Sequence, residues 1–190
     1  MKSRLIALLI VVPLAWVIVG CKVISADSDV AFLGDSITKG WDYPRANFGI
    51  FGNTTAQMLT RFGQIVPGHN YRQVVILGGT NDVLLKVNSD ETINNLETLG
   101  EKTVKENSEP VLCEIPPIFH NYIPADKKNY MPAVIDLNRK IVLLAQRHQW
   151  KLVDYYTPLI NHPNYLADGV HMKRRGYLVM EEALLPKLFR

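Results

Sequence analysis

Three short stretches of this chain carry side chains whose types and spacing could perform nucleophilic chemistry. Gly34-Asp35-Ser36 puts a hydroxyl directly after a carboxylate. Gly79-Thr80-Asn81-Asp82 offers a side-chain amide, and Asp168-Gly169-Val170-His171 sets a carboxylate three residues before an imidazole. A serine hydroxyl is a poor nucleophile until a neighbouring base takes its proton, and an imidazole oriented by a carboxylate can be that base. Each stretch also has a plainer reading. Gly-Asp-Ser and Asp-Gly are common turn sequences, and Asn81 could cap a helix.

The elements that must position these groups are strands. Val30 to Leu33 is a short apolar run ending at Gly34, Gln73 to Leu77 (QVVIL) stops just before Gly78-Gly79, and Pro110 to Ile115 (PVLCEI) is closed by Pro116-Pro117. Such runs read as buried strands of a parallel sheet. Asn47 to Gly52 suggests a brief second strand and Trp150 to Tyr155 a last one. Between them, apolar residues recur at helical spacing. Thr54 or Thr55 caps a helix facing inward through Met58, Leu59, Phe62, Ile65 and Val66. Ser89 starts one carrying Ile93, Leu96, Leu99 and Val104. Val134, Leu137, Ile141, Leu144, Ala145 and His148 mark a third, and Tyr177, Met180, Leu184 and Leu188 the last. The segments Trp41 to Ala46 and Pro116 to Pro132 read as loops, and a loop as long as the second is usually functional or mobile.

Strands alternating with amphipathic helices imply right-handed βαβ units and a doubly wound parallel sheet covered on both faces, in three α/β/α layers. Residues 30–190 form one domain on this reading. Parallel strands end together, so Ser36, Asn81 and the Asp168–His171 pair fall at one edge of the sheet, where ligands bind in such folds.

The four motifs Gly34-Asp35-Ser36, Phe51-Gly52-Asn53, Gly79-Thr80-Asn81-Asp82 and Asp168-Gly169-Val170-His171 resemble the four ordered blocks of the GDSL, or SGNH, hydrolases. Ile37 stands where the family name has leucine, at a packing position. The resemblance implies a flavodoxin-like fold and a serine esterase. Ser36 would be the nucleophile, His171 its base and Asp168 the group that orients the ring. The backbone N–H groups of Ser36 and Gly52 and the side chain of Asn81 would form the oxyanion hole. Asp35 and Asp82 are expected to organise their loops. Trp41, Tyr43, Phe51 and His120, with the Pro116–Pro132 loop, are expected to shape the acyl and leaving-group pockets. His69, His148 and His162 read as structural.

Other chemistries are not suggested. The serine lacks the second glycine of a G-x-S-x-G elbow, and neither a dinucleotide fingerprint nor a P-loop is present. No cluster has metal-ligand spacing, so no metal or cofactor is expected. Family members include lysophospholipases, thioesterases, arylesterases and carbohydrate O-acetylesterases. A small O-acyl group on carbohydrate or a short-chain ester is the first expectation, with a lysophospholipase or thioesterase next. From another class comes a non-catalytic, glycan-binding envelope lipoprotein.

Composition fits one globular domain of 190 residues, 47% apolar and 21% charged. Of the net charge of +3, two charges are Lys2 and Arg4, so the remainder is close to neutral and no nucleic-acid surface is suggested. Two cysteines make no disulfide framework, and Cys113 in a strand reads as core. Lys2 and Arg4 precede an apolar run, Leu5 to Val19, that ends Ile18-Val19-Gly20-Cys21. This is a secretory signal over residues 1–20 resembling a bacterial lipobox, with Cys21 the lipidated residue and 21–29 a tether. The alternative is an uncleaved anchor. Either one puts the domain outside the cytoplasm, at the cell envelope.

Overall fold

The structure is a computed structural model that describes residues 29–44, 46–119 and 129–188. The leader, Cys21 and His120 lie outside the described residues. Five strands form one parallel sheet: β1 (Val30–Gly34), β2 (Ala46–Gly49), β3 (Gln73–Leu77), β4 (Glu109–Cys113) and β5 (Lys151–Val153), in the order β2-β1-β3-β4-β5. Every residue of β1 and β3 is buried, as continuous apolar strands in the middle of a covered sheet must be. Pro110 is tolerated inside β4 for a local reason. Glu109 N–H donates to Arg72 O on the β3 side, so the missing N–H of Pro110 faces the other way. The first β4–β5 pair, Val111 with Lys151, comes only after it.

The helices are α1 (Ser36–Lys39), α2 (Thr55–Arg61), α3 (Thr80–Leu85), α4 (Ser89–Lys105), α5 (Met131–His148) and α6 (Arg174–Leu184). α4 lies between α2 and α5 and covers β3 and β4. α1 and α6 meet through Tyr177, whose hydroxyl donates to Ile37 O at 2.8 Å. Thr54 caps α2 in a reciprocal box with Gln57, and Asn88 caps α4 through Asp90 N–H. The architecture is the expected three-layer, doubly wound α/β fold.

Several boundaries differ from the sequence reading. Ser36 opens the single-turn helix α1 and Asn81 lies within α3, one residue past its start rather than at its cap; neither helix was read from periodicity. Within α4 the inward face runs Leu96, Leu99, Thr103, and Val104 is exposed. Thr103 is tolerated there because its hydroxyl donates to Leu99 O at 2.9 Å. β5 is only three residues long, although Tyr155 beyond it is fully buried. Pro132 lies in the first turn of α5, where its missing N–H costs no helical bond.

Register explains why distant motifs converge. Gly34 pairs with both Gly49 and Leu77, so the chain leaves β1, β2 and β3 from the same edge. The segments leaving there carry Ser36, Gly52 and Asn81.

Candidate active site

Ser36 is the first residue of α1 and is 7% exposed. Asp35 caps that helix, its Oδ1 accepting from Ile37 N–H at 2.9 Å. Gly34 lets α1 fold back tightly, because a Cβ there would collide with Thr38 and with Leu77 O. As the first residue of a helix, Ser36 keeps a backbone N–H with no intrahelical acceptor. Asp35 Oδ2 has no hydrogen-bond partner among the described residues, and burial pushes the carboxyl up to about 7.

The imidazole reaches this hydroxyl from the far end of the chain. His171 Nε2 lies 2.9 Å from Ser36 Oγ, and its Nδ1 lies 2.6 Å from Asp168 Oδ2. The other oxygen of Asp168 accepts the N–H groups of Val170 at 3.0 Å and His171 at 2.8 Å. Partial burial works against ionisation of Asp168. The bonds from the His171 backbone, the His171 ring and Val170 outweigh it, and hold the carboxyl below its ordinary value. A bridge between Leu166 and Met172 closes this turn, and Phe119 N–H donates to Gly169 O at 2.9 Å, fastening it to the chain beyond β4. Carboxylate, imidazole and hydroxyl are thus in line, the arrangement by which a base can remove a serine proton.

On the other side of Ser36, Gly52 has φ +72°, a conformation that favours glycine, and a Cβ there would meet nothing within 4 Å. Its N–H and that of Ser36 make no hydrogen bond to another described residue. Asn81 Nδ2 donates to Asn53 O at 3.0 Å, which fixes the amide and leaves its second N–H available. Asp82, 1% exposed, accepts Thr55 Oγ1–H at 2.6 Å and Thr55 N–H at 3.0 Å, tying α3 to the start of α2. Asp35 and Asp82 both organise loops, as expected.

The residues expected to touch substrate are dispersed. Phe51 is 70% exposed beside Gly52. Trp41 is 3% exposed, stacks on Tyr177 and donates its indole N–H to Glu181 at 2.9 Å, so as it lies it serves the core. Tyr43 packs edge-on to Phe32 in the same aromatic group. A cavity of about 710 Å³ lies between Gly40–Tyr43 and α6, and another of about 480 Å³ between α3, α4 and α5. Neither is lined by Ser36, Asn81 or His171. His69, His148 and His162 each stack on a neighbouring aromatic ring: Tyr71, Trp150 and Tyr165.

Two features were not anticipated. Arg61 donates from Nε to Asn53 Oδ1 at 2.7 Å and from Nη2 to Gly34 O at 2.9 Å. Glu114 and Asp154, just beyond β4 and β5, form a carboxyl pair, and burial and the charge of Asp154 push Glu114 up to about 7.

The model of the GDSL-like lipase/acylhydrolase family matches residues 32–179, which span all four motifs. The chain belongs to this family. It is accordingly a carboxylic ester hydrolase. Solved structures agree. A GDSL-like lipase from Bacteroides thetaiotaomicron is 29% identical with a TM-score of 0.77, over 86% of this chain and 89% of that one. An acetylxylan esterase from Geobacillus stearothermophilus shares the fold at 22% identity and a TM-score of 0.71, over 85% and 94% of the two chains. So does a member of the lipolytic protein G-D-S-L family from Veillonella parvula, at 22% and 0.69, over 83% and 96%. Comparison with curated proteins gives no match.

Proposed function

We propose that this hydrolase works through an acyl-enzyme formed on Ser36 and that its substrate is a short-chain ester, foremost a small O-acyl group on carbohydrate. The observation that carries the mechanism is the line of contacts from Asp168 through His171 to Ser36 Oγ, 2.6 Å and 2.9 Å long. His171 Nε2 takes the hydroxyl proton as Oγ attacks the ester carbonyl. Negative charge collects on the carbonyl oxygen, facing the N–H groups of Ser36 and Gly52 and the free N–H of Asn81. His171 then gives its proton to the departing alcohol, and the same base activates water to release the acid.

A short acyl group is supported by the exposure of the base and its partner among the described residues. Side chains of His171 and Asp168 are 43% and 51% exposed, and among the described residues the cavities beside α6 and between α3, α4 and α5 are not lined by the reacting groups. A long acyl chain binds best in an enclosed apolar channel. The acetylxylan esterase with this fold acts on an ester of that small size. Hydrolysis of acetyl, butyryl, long-acyl and thioester substrates tests the choice. Acetyl or butyryl esters should be turned over fastest, and a preference for long acyl or thioester substrates would overturn it.

We also read the domain as exported and held at the cell envelope through Cys21. Fatty-acid labelling that is lost in Cys21→Ser supports this, and equal labelling of variant and wild type contradicts it.

A further inference from the structure

Arg61 is an unusual last residue for α2. Its guanidinium is half-buried, and burial lowers its pKa with no carboxylate offsetting that cost among the described residues. Here its two hydrogen bonds go to neutral oxygens, Gly34 O at 2.9 Å and Asn53 Oδ1 at 2.7 Å.

Those two oxygens belong to the two sides of the site. Gly34 ends β1, two residues before Ser36, and also accepts Ile50 N–H at 3.2 Å. Asn53 directly follows Gly52, and its backbone oxygen holds the Asn81 amide at 3.0 Å. One planar fork therefore joins the strand that delivers Ser36 to the turn that carries Gly52 and orients Asn81. Neither hydrogen bond of the fork goes to Ser36, His171 or Asp168, so its action is indirect.

We propose that Arg61 is a positioning residue that clamps the Gly52–Asn53 turn onto the end of β1 and so sets the three oxyanion donors at one point. The inference rests on the acyl-enzyme mechanism proposed for Ser36. Its physical basis is the sensitivity of transition-state stabilisation to placement: a shift of about 1 Å can cost on the order of 10²-fold in rate. Arginine is needed because a lysine has one ammonium and cannot hold two acceptors in a fixed fork.

The test is steady-state kinetics on one activated acetyl ester for wild type, Arg61→Met, Arg61→Lys, Asn53→Ala, Asn81→Ala and Arg61→Met with Asn81→Ala. Arg61→Met should lower kcat by about 10–10² with KM changed less than about threefold. Arg61→Lys should lose nearly as much although its charge is kept. Asn53→Ala, which removes only one acceptor, should lose part of it and decides the matter if Arg61→Met does not fold. The paired variant should lose less than the product of its single losses, because a displaced turn already disables Asn81. Normal kcat in Arg61→Lys or Asn53→Ala, a loss confined to KM, or fully multiplicative losses would overturn the clamp. Wild type with no Ser36-dependent turnover is a separate result that removes the esterase mechanism itself.

Discussion

His171 Nε2 stands 2.9 Å from Ser36 Oγ although 135 residues separate them. Nothing local brings them together. Ser36 is delivered by β1, and His171 by a turn beyond β5, the outer strand three places along the sheet. That turn crosses back because it is fastened to Phe119 at Gly169 O and closed by the Leu166–Met172 bridge.

Asn81 tests the oxyanion half of the site. On the proposed mechanism, one N–H is held by Asn53 O and the other is the one that would meet a charge developing only in the transition state. Asn81→Ala should lower kcat by about 10²–10³ and leave KM nearly unchanged. If steady-state kinetics find a raised KM at normal kcat, Asn81 binds the ground state and is not an oxyanion donor.

Asp82 tests the support beneath it. The carboxylate is buried and accepts both the hydroxyl and the N–H of Thr55, itself fully buried. Asp82→Ala leaves those donors without acceptors and should destabilise the fold by ~2–4 kcal/mol, whereas Asp82→Asn, which retains an acceptor, should cost less. Urea denaturation measures both. Equal stability of Asp82→Ala and wild type would contradict the role.

Asp35 gives a pH signature. Burial raises its carboxyl from 3.8 to about 7. Between those values the folded protein holds a proton that the unfolded chain has released, so stability falls as pH rises through the window. Below the window both states are protonated; above it the full cost, up to ~4 kcal/mol, remains. Asp35→Asn can keep the cap on α1 and cannot titrate. Its stability should therefore gain on wild type as pH rises from the lower of those values to the higher. Glu114 contributes a slope of the same sign, which cancels in the comparison. Parallel stability curves for the two proteins would sink the prediction.

Much of this was legible in the sequence, for identifiable reasons. β3 runs from Gln73 to Leu77 as read, because a fully buried strand is a continuous apolar run, here ended by glycines. The site motifs were legible because parallel strands deliver the segments after them to one edge. Arg61 was not. A basic residue in the last turn of a helix reads as a partner for the helix dipole. Its position between the buried Met58 and Phe62 was the one available hint that it points inward. α3 was missed because six residues behind two glycines show too little periodicity. Val104 was expected inward on apolarity alone, whereas Thr103 takes that place because its hydroxyl is satisfied within its own helix. The burial of Trp41 could not be read at all, since it depends on Tyr177 and Glu181 about 140 residues away.

The central claim is that Ser36 is a nucleophile activated by His171, and covalent labelling tests it most directly. The folded protein is treated with a fluorophosphonate and the modified residue is mapped by mass spectrometry, alongside turnover of an activated acetyl ester. Wild type should take up one label, on Ser36. Ser36→Ala should take up none and should lose activity on the order of 10⁶-fold, and His171→Ala should label far more slowly. A folded wild type that stays unlabelled, or that carries its label on another residue, would contradict the account.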